Sequence, residues 1–253
     1  MRHYGLIGKA LSHSFSANFF RVKFQNEGID ADYTLIEMED ISAIRDVVTE
    51  RELSGFNVTI PYKESIIPYL DELSDEAKSV GAVNCVVVRN GRLIGYNTDI
   101  IGIEASFEWL DTDITDTRAL ILGTGGASKA VQYVCRKRDL AYSIVSRNKE
   151  LGDYTYDMLD SDIIAQHKLI INATPVGMSP NKDEAPVLPY DAIGSEHRVF
   201  DLIYNPATTL FLARADEQGA NTMNGILMLQ TQAIASWHIW QRAYEEFKEG
   251  DIC

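Results

Sequence analysis

Short apolar runs alternate with amphipathic stretches along the chain, and this pattern predicts strands separated by helices. Residues 4–7 read as the first strand. A loop, Gly8 to Ser16, leads into a helix that ends near Gly28. Residues 33–36 form a second strand, 40–50 a second helix and 55–59 a third strand. Pro61 then suits the first turn of a helix, because its missing N–H would be unpaired there. Residues 85–88 are an apolar strand, Asn90-Gly91 is a strong hairpin signal, and 92–96 return. A helix follows over 100–110, and the polar segment Asp111 to Thr117, which lacks apolar periodicity, reads as the approach to a second domain. From Ala119 the β-α-β rhythm resumes, with strands at 119–122, 142–145, 168–171, 198–203 and 220–223. Helices are predicted from the glycines near 125 to about Arg138 and over 207–218. The last helix spans about 226–248, and Ala233, Trp237, Trp240, Tyr244 and Phe247 fall on one stripe, expected to be core. The fold class is α/β with two domains and a mostly parallel sheet in the first.

Composition narrows the picture. The 253 residues are 45% hydrophobic and 24% charged, as in an ordinary globular protein. The net charge of −14 argues against a nucleic-acid or anionic-membrane partner, although a local basic cluster can still bind an anionic small molecule. Cys85, Cys135 and Cys253 form no C-x-x-C, and the histidines form no H-E-x-x-H, so no metal and no disulfide framework is expected. No run approaches the ~18 apolar residues of a membrane span. The chain enters a strand almost at once, which leaves no signal peptide, and the expected location is cytoplasmic.

Candidate chemistry gathers at strand ends. Gly123-Thr124-Gly125-Gly126-Ala127 follows an apolar strand and opens a helix. Glycines let backbone N–H groups approach a phosphate there, and the helix N-terminus favours its charge. Ser128 stands where the strict G-x-G-x-x-G pattern has its third glycine. At the end of the next strand, where a ribose-binding acid is expected ~20 residues on, the chain has Ser146-Arg147. A cation in place of the acid favours a 2′-phosphate, hence NADP over NAD; otherwise Arg147 is a surface arginine. Ser14 and Ser16 stand at a helix start, where they serve as caps or place two hydroxyls beside a dipole end suited to a carboxylate. Asn57, Thr59 and Lys63 cluster where a strand meets a helix, the usual ligand side of an α/β sheet. Asp99 is either the N-cap of the following helix or has a second role, and Gln232 is either a solvated flank or a ligand contact.

Eight stretches taken together resemble the shikimate dehydrogenase family: Ser14-Phe-Ser16, Asn57-Val-Thr-Ile-Pro-Tyr-Lys63, Gly81-Ala-Val-Asn84, Asn97-Thr-Asp99, Gly123-Thr-Gly-Gly-Ala127, Asn172-Ala-Thr-Pro-Val-Gly-Met178, Asp201-Leu-Ile-Tyr204, and Gly225 through Met228 to Gln232. They cover nearly the whole chain in the family's order. The resemblance implies an N-terminal substrate-binding and catalytic domain (residues 1–100 with 226–253), a Rossmann-like NADP-binding domain (101–225) and a C-terminal helix that returns to the first domain. It implies reversible reduction of 3-dehydroshikimate to shikimate by NADPH in aromatic amino-acid biosynthesis. By the same resemblance Lys63 and Asp99 are the catalytic pair. Ser14 and Ser16 hold the substrate carboxylate. Thr59, Asn84 and Gln232 contact ring hydroxyls, and Tyr204 is a further substrate contact. Gly123, Thr124, Gly125, Gly126, Ala127 and Arg147 touch the cofactor, and Leu202 and Gly225 border the nicotinamide. A monomer or homodimer is expected.

The chemistry of the pair stands on its own terms. Hydride arriving at a carbonyl carbon leaves negative charge on oxygen, which a lysine ammonium stabilises and protonates. In oxidation the lysine must accept a proton, so alkaline pH is expected to favour that direction. The chain departs from the family's pattern at Ser146-Arg-Asn-Lys149, where the usual threonine is Asn148 and a later arginine is missing. Lys149 supplies a point charge without arginine's two-pronged fork. The first loop also reads Gly8-Lys-Ala instead of Gly-x-Pro. Two alternatives stand beside the main expectation: a quinate/shikimate dehydrogenase using NAD, and a non-catalytic sensor of a nucleotide or sugar-like acid.

Overall fold

Apolar runs rich in Val, Ile and Leu are buried as two separate sheets. The computed structural model describes residues 1–11, 14–110 and 117–250, the last four by backbone alone. The chain divides into two units, Met1–Thr98 with Ala233–Cys253, and Asp99–Gln232. The crossings fall after Thr98 and Gln232, where 100 and 225 were expected. The polar segment from Asp111, the Phe247 side chain and Cys253 lie outside the described residues, apart from Thr117.

The first unit is built on a six-stranded sheet of order β2-β1-β3-β5-β6-β4. Its strands are β1 (Arg2–Gly8), β2 (Ala31–Glu37), β3 (Leu53–Val58), β4 (Glu72–Leu73), β5 (Cys85–Arg89) and β6 (Arg92–Tyr96). The helices are α1 (Phe15–Glu27), α2 (Ile44–Glu50), α3 (Tyr62–Ser65), α4 (Asp75–Val80) and the C-terminal part of α9 (Ile226–Gly250). The sheet is less parallel than the strand–helix rhythm suggests. β1–β2, β1–β3 and β4–β6 are parallel, but β5 pairs antiparallel with both β3 and β6. The hairpin at Asn90-Gly91 explains the second reversal, with φ values of 51° and 72° that suit this dipeptide.

Helix ends follow local chemistry. Ser14 caps α1 by accepting from the Ser16 N–H, and Gly28 closes it at φ 63°. Asp40 caps a short 3₁₀ turn before α2. Pro61 precedes α3 instead of entering its first turn, and the Ile60–Pro61 peptide is cis. The strand and helix over 72–80 escape a pattern of apolar runs because they are short, yet Ser74 is a cap and Gly81 a left-handed stop.

Aromatic side chains dominate one face of this sheet. Tyr4, Phe20, Phe24, Tyr33, Trp237 and Trp240 form one cluster. Gly55 lets the Trp240 indole lie against the strands, since a Cβ there would sit 2.5 Å from Nε1. That nitrogen donates to Val86 O at 2.9 Å. The α9 stripe therefore packs as expected through Ala233, Trp237 and Trp240. Tyr244 departs from it: it is 37% exposed and carries the Arg2 guanidinium 4.4 Å above its ring, because the helix outruns the core it covers.

The second unit holds a five-stranded, wholly parallel sheet of order β11-β10-β9-β7-β8. The strands are β7 (Arg118–Leu122), β8 (Ala141–Val145), β9 (Leu169–Asn172), β10 (Arg198–Asp201) and β11 (Asn221–Met223). Its helices are α5 (Asp99–Trp109), α6 (Gly126–Lys137), α7 (Ser161–Gln166), α8 (Leu210–Glu217) and the start of α9. α8 begins later than the periodicity suggests, because Thr209 caps it. Asp99, which the sequence leaves either as the N-cap of the following helix or with a second role, is the first helical residue of α5. Among the described residues no helix is long and apolar enough to cross a membrane, and no group of three or more metal-binding side chains occurs.

Candidate active site

Topology brings the first unit's candidate residues to one edge of its sheet. In the order β2-β1-β3 the chain moves outward from β1 in both directions, so the loops after β1 and β3 diverge and leave a crevice at their C-terminal ends. Ser14 and Ser16 follow β1, and Thr59 and Lys63 follow β3. β5 runs the other way, with Asn57 opposite Cys85, so its N-terminal neighbour Asn84 lies at that same edge. β6 reverses once more, with Tyr96 opposite Cys85, and delivers Asn97 and Thr98 there as well.

Main-chain hydrogen bonds hold these segments together. Thr59 N donates to Ile7 O at 2.9 Å and Val58 N to Asn84 O at 2.9 Å. Val83 N donates to Lys63 O at 2.7 Å, tying the short α3 to the segment that carries Asn84. The Lys63 side chain is half-buried. The Asn84 amide is locked by Thr98, whose N–H donates to Asn84 Oδ1 at 2.7 Å while Asn84 Nδ2 donates to Thr98 Oγ1 at 3.0 Å. Asn97 Nδ2 donates to Ala82 O at 2.9 Å, but its buried Oδ1 finds no hydrogen-bond partner among the described residues. An unmet acceptor in a buried position is costly unless water or a ligand hydroxyl satisfies it.

Ser14 is the cap, and Ser16 lies inside the first turn of α1, which carries no acidic residue. Among the described residues both thiols, Cys85 and Cys135, are buried, and burial pushes each up to about 12, out of the reactive range.

In the second unit β7 is flanked by β8 on one side and β9 on the other, so the switch point falls at the glycine turn after β7. Gly123 has φ 104°, and a Cβ there would meet Thr174 Cγ2 at 2.8 Å. The Ser128 hydroxyl donates to Gly123 O at 2.7 Å, giving the residue in the third-glycine position a job of its own. A Cβ on Gly125 would meet nothing within 4 Å, and the first turn of α6 bears no acid. Open space beside exposed N–H groups at the start of a 12-residue helix fits a pyrophosphate. Arg147 follows β8 as expected of a 2′-phosphate contact, and it lies close enough to Tyr156 to oppose the upward shift that burial gives that phenol.

Leu202 and Gly225 meet directly. Gly225 N donates to Ile203 O at 3.0 Å, and a Cβ on Gly225 would lie 2.1 Å from Leu202 O. Tyr204 is half-buried on the same segment after β10. Asp99 is 3% exposed at the start of α5, and Gln232 is also buried, with Nε2 donating to Leu229 O at 2.9 Å.

Asp201, to which the sequence assigned no role, anchors this edge. Its carboxylate accepts from Thr209 Oγ1 at 2.6 Å, Ile203 N at 3.0 Å and Asn172 Nδ2 at 3.0 Å. It thereby joins the ends of β9 and β10 to the start of α8. Burial pushes its carboxyl up from 3.8 to about 6, against the pull of those three bonds. Because the folded value lies above the unfolded one, the folded chain holds the proton more tightly. This group's contribution to stability is therefore full below about pH 4 and is lost as pH rises through 6, on the order of 2–3 kcal/mol. Thermal unfolding across this window is expected to show that slope in the wild type and a flatter one in Asp201→Asn. Identical slopes would show that the carboxyl does not titrate there.

The glycine turn at a switch point of a parallel sheet, and a separate α/β unit presenting a lysine, serines and amides at its own crevice, define the class of two-unit, nicotinamide-dependent dehydrogenases. Residues 6–86 match the sequence profile of the shikimate dehydrogenase substrate binding domain. A shikimate dehydrogenase (NADP(+)) of Methanococcus maripaludis is 39% identical over 93% of this chain and 90% of its own length. Shikimate dehydrogenase 1 from Peptoclostridium difficile superposes with a TM-score of 0.85 at 38% identity, covering 96% of this chain and 92% of that one. The Thermus thermophilus enzyme, solved in complex with NADP(H) and shikimate, gives 0.83 at 28% identity, covering 95% and 93%. This chain belongs to the shikimate dehydrogenase family.

Proposed function

We propose that this protein interconverts 3-dehydroshikimate and shikimate with NADP(H) as cofactor. The observation that carries the proposal is the convergence of Ser14, Ser16, Thr59, Lys63 and Asn84 at one sheet edge of the first unit, together with a glycine turn of dinucleotide-binding type within the second. NADPH, when bound, supplies the hydride.

The chain's own residues do the rest. Ser14 and Ser16 receive the substrate carboxylate at the start of α1, where the N-terminal dipole favours an anion. Thr59, Asn84 and Gln232 orient the ring through its hydroxyls, and Tyr204 adds a contact. The Lys63 ammonium stabilises charge growing on the carbonyl oxygen and gives it a proton; in the reverse direction it takes the hydroxyl proton. Asp99 accepts from the same hydroxyl or ammonium and fixes its orientation. The backbone of 123–127 would hold the pyrophosphate of the cofactor and Arg147 its 2′-phosphate, and Leu202 and Gly225 would border the nicotinamide. The partner is a small molecule, with no nucleic acid or membrane involved, and the working unit is a monomer or homodimer.

Initial rates of shikimate oxidation with NADP and with NAD, and with quinate in place of shikimate, test the proposal. Turnover is expected with shikimate and NADP well above any other pair. Arg147→Ala is expected to raise KM for NADP by about ten-fold or more and to leave KM for NAD nearly unchanged, since a charge-assisted bond to phosphate contributes ~1.5–3 kcal/mol. Equal effects on both cofactors would remove Arg147 from the 2′-phosphate. Equal turnover with quinate or NAD would favour the broader-specificity alternative.

A further inference from the structure

We propose that Tyr33, Asn57 and Ser236 are positioning residues that set the spacing between the carboxylate-binding and ring-hydroxyl-binding ends of the substrate site, through a buried hydrogen-bonded chain that runs from Tyr33, packed against α1, to Asn84. The inference rests on the site assignment made above. At one end Tyr33 stacks on Phe20 of α1, ring centroids 4.5 Å apart, and the Ser16 hydroxyl in the first turn of that helix lies close enough to the Tyr33 phenol to oppose the upward shift that burial gives it. Tyr33 donates to Asn57 Oδ1 at 2.9 Å. Asn57 Nδ2 donates both to Ser236 Oγ at 2.9 Å and to Asn84 O at 3.0 Å. Ser236 Oγ lies 3.1 Å from Thr98 Oγ1, and Thr98 closes on the Asn84 amide at the other end.

Five side chains on five different segments are thus hydrogen-bonded, on β2, β3, α9 and the residues just before β5 and just after β6, with α1 packed against the first of them. None is more than 9% exposed. Asn57 is the junction. Both faces of its amide are used, so the group has one orientation, and turning it over would put its N–H against the Tyr33 hydroxyl and its oxygen against Asn84 O. A strand position in an aromatic core would be filled at lower cost by an apolar residue, because each of these polar groups is desolvated and must find a partner. What the polar chain adds is fixed distance. An apolar contact tolerates sliding, whereas a series of bonds near 3 Å does not.

The two ends matter because both face the proposed substrate, while the middle does not. Removing a middle link loosens both ends together. Tyr33→Phe deletes one oxygen from a ring that keeps its packing against Phe20, and Ser236→Ala deletes one from a fully buried helix position. Each is expected to raise KM for shikimate on the order of ten-fold, as misplacement by a fraction of an ångström does, with KM for NADP unchanged. Tyr4→Phe is the control. It removes a hydroxyl from the same aromatic cluster, but one that lies near Arg2 and off the chain, so KM for shikimate should not move.

The measurement is steady-state kinetics of the full-length protein for Tyr33→Phe, Ser236→Ala, Tyr4→Phe, Ser16→Ala and Asn84→Ala, with melting temperature recorded for each. The expected result is a raised shikimate KM in all but Tyr4→Phe. If Ser16→Ala and Asn84→Ala raise it but Tyr33→Phe and Ser236→Ala only lower the melting temperature, the chain is structural and the inference fails while the site assignment stands. If Ser16→Ala and Asn84→Ala also leave it unchanged, the site assignment fails, and this inference with it.

Discussion

Lys63→Met is expected to lower kcat for shikimate oxidation by about 10²–10⁴-fold, the range of a positioned general acid–base group. KM for NADP should hardly change, because Lys63 stands at the start of α3 in the first unit, far in sequence from the glycine turn. The substrate hydroxyl must shed a proton as its carbon sheds hydride, and Lys63 is the basic side chain the sequence places in the strand-to-helix turn after β3. Methionine keeps the length and the apolar stem of lysine, so the half-buried position stays filled while the amine is gone. A variant that keeps more than a tenth of the wild-type kcat would transfer the proton step to another group, with Asp99 the next to test.

Gly225→Ala is expected to have the second largest effect, on cofactor binding and on the stability of the second unit together. The added Cβ would sit 2.1 Å from Leu202 O and 2.6 Å from Leu202 C. Both are main-chain atoms, so no side chain can rotate away. The segment leaving β10 and the start of α9 must separate, which strains or breaks the Gly225 N to Ile203 O bond. Leu202 and the α9 start are the proposed wall for the nicotinamide. We expect a loss of ~2–4 kcal/mol in denaturant unfolding, at the upper end of overpacking costs. NADPH affinity measured by fluorescence titration should fall by about ten-fold or more. A variant with wild-type affinity would mean that this contact is not part of the cofactor site.

Much of this architecture is readable from residue order. The strand–glycine–helix at 118–137, the hairpin at Asn90-Gly91 and the packing of Trp237 and Trp240 all follow from local pattern, because turn chemistry and periodicity act within a few residues. Strand direction does not. Nothing in the apolar run at 85–88 says that β5 runs antiparallel to β3, and yet this reversal is what brings Asn84 and Thr98 to the edge that holds Lys63. The end of the α9 stripe is equally silent: periodicity names a face, but only the extent of the first unit's core decides that Tyr244 reaches solvent.

The candidate side chains were found as motifs, and their supports were not. Ser236 gives one signal, a polar residue three positions after Ala233 on an otherwise apolar face. Its partner Asn57 lies 179 positions away, beyond any local pattern. Asp201 likewise reads as an ordinary strand-end acid until Thr209 and Asn172 are seen to close on it. Residues that touch a ligand recur at strand ends by geometry, whereas residues that hold them depend on which segments the fold makes neighbours.

The most direct measurement is the reduction itself: purified protein, NADPH and 3-dehydroshikimate, followed by loss of reduced-nicotinamide absorbance with the product identified by chromatography, and Lys63→Met run beside the wild type. Stoichiometric formation of shikimate by the wild type, and its near absence with the variant, is the predicted result. A folded wild-type protein that binds NADPH yet forms no shikimate would contradict the assignment and leave a nucleotide-binding sensor in its place.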